Sequence, residues 1–498
     1  MQVKPHLALD GYKVDHRSQY PVGTQKVYSN LTARSTRLFK SPLGKLNNTV
    51  FYGLQGFVKD YLINAWNEGF FNRPKEVVVK EYQRRMDAYL GTGAITTTHV
   101  AALHDLGYLP IKINALPEGS LVTENVPYLT IENTVDEFFW LTNYLETVMS
   151  TELWKPITTA TTAFEFRKIL SKFVELTGSN KDFMNWQLHD FSMRGMSGVN
   201  DSASSGSAHL AVGNFGTDTL PAIEYLEAFY NANIETELVG GSVPATEHSV
   251  MCMGTEDGEY NTFKRLITEV YPSGVVSIVS DTWDYWNVIT VTAPALKEEI
   301  LSRQPNSLGL AKVVFRPDSG DPADIICGDP TSEKGTPQHK GSIECLWETF
   351  GGTVNDKGYK TLNQRVGLIY GDSITLERAN DILQRLADKG FAADNVVFGV
   401  GSFSYQYVTR DTLGMAVKAT YGVVNNEERN IAKNPKTGSG KKSAKGLLNV
   451  VGTNGNYSLE QEAQKDNASG NMLTVFKNGK IMNETSLNEI RNRLNSML

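Results

Sequence analysis

Four aspartates stand where strand-like runs give way to turns: Asp218 in GTDT, Asp281 in VSD, Asp318 in RPDSG and Asp372 in YGDS. One aspartate in a loop is ordinarily a cap or turn former. Four on one face of an α/β scaffold point instead to a site. Arg316, two residues before Asp318, adds a planar cation suited to bidentate phosphate binding. The segment FGVGSF (Phe398 to Phe403) follows a strand-like run and could present backbone N–H groups to a phosphate, although a tight strand-to-helix turn explains its glycines equally well. In VGGSVPATEHSVM (Val239 to Met251), His248 follows a glycine pair and a proline. Taken alone it reads as a hydrogen-bonded histidine at a helix start, and only context would make its imidazole a nucleophile.

Flat and basic side chains complete the set. LHDFSMRG (Leu188 to Gly195) puts Phe191 and Arg194 just after a short strand, and DGYKVDH puts Tyr12 near the beginning of the chain. Aromatic residues are more often core than stacking platform, so these two need a structural context before they count as ligands. There is no P-loop, complete GxGxxG, GxSxG or HExxH, which removes the usual support for ATPase, dehydrogenase, esterase and zinc-protease readings.

The elements that must carry these residues are legible between about Asp190 and Arg410. The runs VVSIVSD, AKVVFRPDSGD, RVGLIYGDS and NVVFGVGS are continuous and apolar, as in strands buried on both faces of a parallel sheet. Leu376, Ala379, Ile382, Leu383 and Leu386 recur at helical spacing between the last two runs, and Lys389-Gly390 stops the helix. Repeated strand–helix–strand units give a doubly wound sheet or a barrel, and both collect active residues where the strands end.

The chain's 498 residues exceed one ordinary core, so we expect an α/β catalytic domain over 151–410. The flanking segments, 1–150 and 411–498, lack the repeat and pack together as a second domain. MLTVFKNGKIM (Met472 to Met482) reads as strand. GDPTSEKGTPQHKGS (Gly328 to Ser342) reads as a surface insertion and NPKTGSGKKSAKG (Asn434 to Gly446) as a lysine-bearing loop. A net charge of −7 speaks against nucleic-acid or anionic-membrane partners. The beginning of the chain lacks the apolar core of a signal peptide, and no stretch approaches the roughly 18 apolar residues of a membrane span, so a cytoplasmic location is expected. Three cysteines without metal-type spacing read as free or buried thiols.

LHDFSMRG, GTDT, SVPATEHS, VVSIVSD, RPDSGDP, YGDS, VTRDTLG and TVFKNGK, in this order, with DGYKVDHRSQYP and FYGLQGF before them, closely resemble the nicotinamide phosphoribosyltransferases, of the type II phosphoribosyltransferase family. The resemblance covers roughly residues 8 to 490. It implies an irregular α/β barrel with a second α+β domain built from both chain ends, in a homodimer with active sites at the interface. The implied reaction joins nicotinamide to phosphoribosyl pyrophosphate (PRPP), giving nicotinamide mononucleotide and pyrophosphate in NAD biosynthesis.

Residue roles follow from the resemblance. Phe191 and the partner's Tyr12 would sandwich the pyridine ring. Asp218 would accept from the carboxamide and repel nicotinate. Asp318 would stabilise an oxocarbenium-like transition state and, with Asp281, hold Mg²⁺ on the pyrophosphate. Arg194, Ser242, Ser277, Arg316, Gly371 and Asp372 would line the base, ribose and nucleotide, with Gly401 and Ser402 at the 5′-phosphate. Arg34, Arg410, Lys418, Lys433 and Lys441 would surround the phosphates, several of them across the dimer. His248 would be phosphorylated by ATP, with Glu247 orienting its ring. Met193 replaces an aromatic usual in the family, and Val400, Ser402 and Phe403 replace smaller residues in the phosphate loop. Nicotinate phosphoribosyltransferase, a metal-assisted hydrolase and a non-catalytic nucleotide-binding relative are the alternatives.

Overall fold

The structure is a computed structural model and describes residues 4–435 and 443–498. Six parallel strands form the central sheet: β1 (Leu188–Asp190), β2 (Gly216–Thr217), β3 (Gly274–Val279), β4 (Ala311–Arg316), β5 (Val366–Tyr370) and β6 (Val396–Val400). Their spatial order is β2-β1-β6-β5-β4-β3. The four apolar runs of the sequence are β3 to β6, shortened by the polar residues at their ends. β5 is buried at every position, whereas β4 alternates buried and half-buried residues. The helix between β5 and β6, Leu376–Asp388, buries Leu376, Ala379, Ile382, Leu383 and Leu386 against the sheet. Thr375 caps it by accepting from the Arg378 N–H.

The sheet curls until its two edges face one irregular segment. Gly241 N–H donates to Phe215 O at 2.8 Å and Gly241 O accepts from Thr217 N–H at 3.0 Å, along β2. On the other side Pro244 O accepts from Ser277 N–H at 2.9 Å and Thr246 N–H donates to Ser277 O at 3.0 Å, along β3. Proline has no N–H to donate, but here only its carbonyl is used. The stretch 241–246 therefore bridges the sheet edges and makes the architecture a barrel rather than an open doubly wound sheet.

A seven-stranded sheet forms the second domain. Its strands run Glu427–Asn430, Ala416–Val424, Thr24–Thr32, Pro127–Asn133, Ile111–Ala115, Leu473–Lys477 and Lys480–Ile481 in spatial order, so both chain ends build it. Thr24–Thr32, third in this order, pairs antiparallel with Ala416–Val424 on one side and Pro127–Asn133 on the other. The stretch MLTVFKNGKIM, read as strand, is in fact two strands joined as a hairpin, turned by Asn478-Gly479, both at positive φ. The helix Glu146–Thr177 runs through both cores: Met149, Leu153 and Ile157 join the core of the second domain, while Ala160, Phe164 and Leu170 join that of the barrel.

All three cysteines are free thiols, with Cys327 and Cys345 buried and Cys252 exposed. Among the described residues no helix is long and apolar enough to cross a membrane.

Candidate active site

The residues singled out in sequence follow the C-terminal ends of the barrel strands, because parallel strands all deliver their next residues to one rim. Phe191 follows β1, Asp218 β2, Asp281 β3, Asp318 β4, Gly371 and Asp372 β5, and Gly401 β6. Phe191 is fixed by its N–H, which donates to Val400 O at 2.8 Å. Its ring lies directly over the backbone of β6, where a Cβ on Gly399 would come within 2.5 Å of Phe191 Cδ2. A Cβ on Gly371 would meet Asp318 Oδ1 at 2.4 Å and Phe191 Cε2 at 3.7 Å. The absent side chain of Gly371 is thus what lets the aromatic ring and the Asp318 carboxylate approach each other.

On the β2 side, Asp218 Oδ1 accepts two hydrogen bonds, from His189 Nε2 at 2.9 Å and from Ser242 Oγ at 2.7 Å. Burial alone would raise the Asp218 carboxyl. The hydrogen bond and charge of His189, the Ser242 hydroxyl and Arg316 outweigh it and hold the group below the ordinary carboxylate value. Asp218 is therefore an ionised acceptor. Oδ1 is used twice within the protein, which leaves Oδ2 for a ligand donor.

On the β3–β4 side, Asp281 links three elements. Its Oδ1 lies 3.2 Å from His248 Nε2, and its Oδ2 accepts from the Asp318 N–H at 3.0 Å. His248 opens the helix His248–Met253 and is hydrogen-bonded, as a histidine at a helix start would be, but it is half-exposed and so open to a reactant. Glu247 accepts from the Ser249 hydroxyl, and no hydrogen bond joins it to His248. The ring is oriented by Asp281 and not by its chain neighbour. Arg316 Nη2 donates to Thr246 O at 2.7 Å, which ties the phosphate-binding candidate to the segment that carries His248.

Three buried polar atoms here have no hydrogen-bond partner among the described residues: Asp318 Oδ1, Ser277 Oγ and Arg316 Nε. Buried polar atoms are ordinarily satisfied, so orphans gathered at one rim mark a place for a polar ligand. Arg316 Nε is 3.5 Å from Asp318 Oδ2, within ion-pair reach but without a hydrogen bond. Burial, opposed by Arg316 and His248 and reinforced by Asp281 and Asp372, raises the Asp318 carboxyl above its ordinary value. For a divalent cation, Asp318 Oδ1 is an open acceptor while both Asp281 oxygens are engaged. This donor set suits magnesium that arrives with phosphate oxygens rather than a cation caged by protein alone.

The remaining candidates fall into two places. Arg194 is exposed in the turn Met193–Gly195, beside the helix Ser402–Tyr405, where Ser402 packs on Gly195. Asp372 accepts from Ser373 Oγ at 2.6 Å. Arg34, Lys418 and Lys433 gather instead on the second domain. Burial lowers the Lys418 amine, Glu146 opposes this, and Arg34, Lys433 and Lys13 add to it. Tyr12, beside Lys13, is two-thirds exposed. Arg410 is exposed and, among the described residues, pairs only with Asp411, at 3.5 Å. Among the described residues, no hydrogen bond or ion pair joins these residues to the barrel rim within one chain. Lys441 lies outside the described residues.

His189 and Thr246 are the site residues that the sequence did not single out. His189 had a signal: it stands two residues before Phe191 at a strand end, so both side chains share a face. Its ring centroid is 4.7 Å from that of Phe191. Thr246 carried none, since its part is played by its carbonyl and by Oγ1, which accepts from Val279 N–H at 2.9 Å.

Residues 186–480 match the nicotinate phosphoribosyltransferase (NAPRTase) family, and residues 6–113 match the nicotinamide phosphoribosyltransferase N-terminal domain. A nicotinamide phosphoribosyltransferase of Acinetobacter baylyi is 56% identical over 499 aligned positions, covering 100% of this chain and 98% of that protein. One from Mycoplasma pneumoniae is 35% identical, covering 89% of this chain and 95% of the relative. Among solved structures, nicotinate-nucleotide pyrophosphorylase from Pyrococcus furiosus superposes with a TM-score of 0.56 at 16% identity, covering 99% of this chain and 95% of that one. Human nicotinic acid phosphoribosyltransferase gives 0.52 at 15% identity, covering 100% and 93%. At these identities the two structures speak to the fold, which is the type II phosphoribosyltransferase architecture.

Proposed function

The chain belongs to the nicotinamide phosphoribosyltransferase family, and from that premise we propose that it transfers the phosphoribosyl group of PRPP to nicotinamide, forming nicotinamide mononucleotide and pyrophosphate for NAD synthesis. The observation that carries the choice of base is the pairing of Phe191 with Asp218 through His189. A flat ring receives the pyridine, and an ionised carboxylate with one free oxygen receives the carboxamide N–H.

In the reaction the pyridine nitrogen lone pair forms the bond to the ribose anomeric carbon as the bond to the pyrophosphate oxygen breaks. Positive charge develops on the ribose ring, and Asp318, whose Oδ1 has no hydrogen-bond partner among the described residues, would stabilise it. Arg316 has the charge and shape to hold the departing pyrophosphate. Magnesium bound with that pyrophosphate, through Asp318 and with Asp281 beside it, would neutralise part of its negative charge.

ATP is the proposed co-substrate. His248 would take its γ-phosphoryl group as ADP leaves, with Nε2 held by Asp281 and Nδ1 left as the nucleophile. The proposed assembly is a homodimer in which each subunit lends Tyr12, Arg34, Lys418 and Lys433 to its partner's barrel, since Arg34, Lys418 and Lys433 gather on the second domain. A cytoplasmic location fits an enzyme using PRPP and ATP.

The test is product formation by the purified protein with PRPP, Mg²⁺ and either base. Nicotinamide mononucleotide and pyrophosphate should form, with nicotinate barely accepted. A preference for nicotinate, the second reading suggested by the matching family, would sink the proposal, as would no pyrophosphate release with either base. His248→Ala should abolish the stimulation of product formation by ATP, and full stimulation in that variant would remove the histidine from this role.

A further inference from the structure

We propose that His189 is a positioning residue that sets the selectivity for amide over acid by holding Asp218 through Nε2. The inference rests on the reading of this rim as a nicotinamide pocket. An ionised carboxylate only accepts, so at 2.9 Å from Asp218 Oδ1 the His189 Nε2 carries the hydrogen and donates it. Ser242 donates to the same oxygen at 2.7 Å. Two donors on one oxygen stop the carboxylate from rotating and leave Oδ2 as the face presented to the base.

The barrel makes room for this arrangement. A Cβ on Gly216, in the neighbouring strand β2, would lie 2.7 Å from His189 Nδ1. The ring therefore occupies space left by a missing side chain, between β2 and the Phe191 ring. His189 pairs in register with Gly216 on one side and with Gly399, the residue under Phe191, on the other. One histidine thus spans the platform for the pyridine and the acceptor for its substituent.

Without the Nε2 donor the carboxylate is free to turn, its ionised form loses support against burial, and the geometry that rewards an amide is diluted. The reaction centre at Asp318 and Arg316 is not touched.

The experiment compares wild type with His189→Phe, which keeps an aromatic ring but has no donor, and with His189→Gln, whose amide N–H reaches about as far as Nε2. The readouts are kcat/KM for nicotinamide and for nicotinate, and KM for PRPP. His189→Phe should narrow the nicotinamide-to-nicotinate ratio about tenfold, chiefly through a higher KM for nicotinamide. His189→Gln should restore most of the ratio, and KM for PRPP should stay put in both. An unchanged ratio in His189→Phe, or equal losses in the two variants, overturns the inference. If the phenylalanine variant does not fold, His189→Leu gives the same reading. Failure of wild type to use nicotinamide would instead overturn the functional assignment beneath it, and the inference with it.

Discussion

Asp318→Asn is expected to lower kcat/KM for nucleotide formation by about 10²- to 10³-fold, the scale of removing one preorganised electrostatic partner from a transition state. The substitution keeps the shape of the side chain and its place above Gly371, so the loss reports charge and not packing. Three features make the effect large. Asp318 Oδ1 is buried with no hydrogen-bond partner among the described residues, and Arg316 reaches only the other oxygen, at 3.5 Å, so Oδ1 is left for the substrate. Its backbone N–H is anchored by Asp281 at 3.0 Å, so the carboxylate is preorganised. Burial, with Asp281 and Asp372 as like-charged neighbours, works against ionisation and so strengthens the pull on any cation that enters.

The same features give a pH signature. The Asp318 carboxyl is raised, so it takes up its proton at a higher pH than an ordinary carboxylate as the solution is acidified. Activity that needs the ionised form is complete above that point and lost below it. The acid limb of kcat/KM should therefore lie above the usual carboxylate range in wild type and be absent from the residual activity of Asp318→Asn. Near-native rates in that variant, or an acid limb that persists in it unchanged, would exclude Asp318 from charge stabilisation.

Asp218→Asn should narrow the preference for nicotinamide over nicotinate by about 10²-fold, since like-charge contact in a desolvated pocket costs several kcal/mol. Asparagine can keep its carbonyl oxygen toward His189 and Ser242, which both donate to Oδ1 in the native protein. Its amide nitrogen then replaces the free oxygen that faces the base. A donor now stands where an acceptor stood: it opposes the carboxamide N–H and welcomes the nicotinate carboxylate. Competition between the two bases at saturating PRPP measures the ratio directly, and an unchanged ratio would show that selectivity resides elsewhere.

Much of this site was legible because parallel strands announce themselves locally. VVSIVSD and RVGLIYGDS are largely apolar within the sheet, Ser277 apart, and turn polar where the chain leaves it, so the positions of Asp281 and Asp372 follow from a change in composition. The helix Leu376–Asp388 was equally plain, since its buried residues repeat at helical spacing between a threonine cap and Lys389-Gly390. The basic residues were legible as residue types but not as one cluster. Arg34 and Lys418 are nearly four hundred positions apart, and the pairing of Thr24–Thr32 with Ala416–Val424 brings them together.

The segment Gly241 to Thr246 marks the boundary most clearly. With Gly240 before it, Gly241 at its start and Pro244 inside it, the segment is a poor strand former, and the residues alone suggested only a histidine at a helix start. It becomes part of the barrel because β2 and β3 are the open edges of the curled sheet, and their N–H and C=O groups need partners. The same closure carries Ser242 to Asp218 and His248 to Asp281, and its Thr246 carbonyl receives Arg316. Sequence by itself determined which residues can do the chemistry, and that most stand at strand ends, because burial and helix periodicity are written in neighbouring residues. Tertiary structure alone decided which of them share an oxygen or a ring. Those pairings are set by which sheet edges are left unsatisfied when distant strands meet, a quantity no local stretch of chain contains.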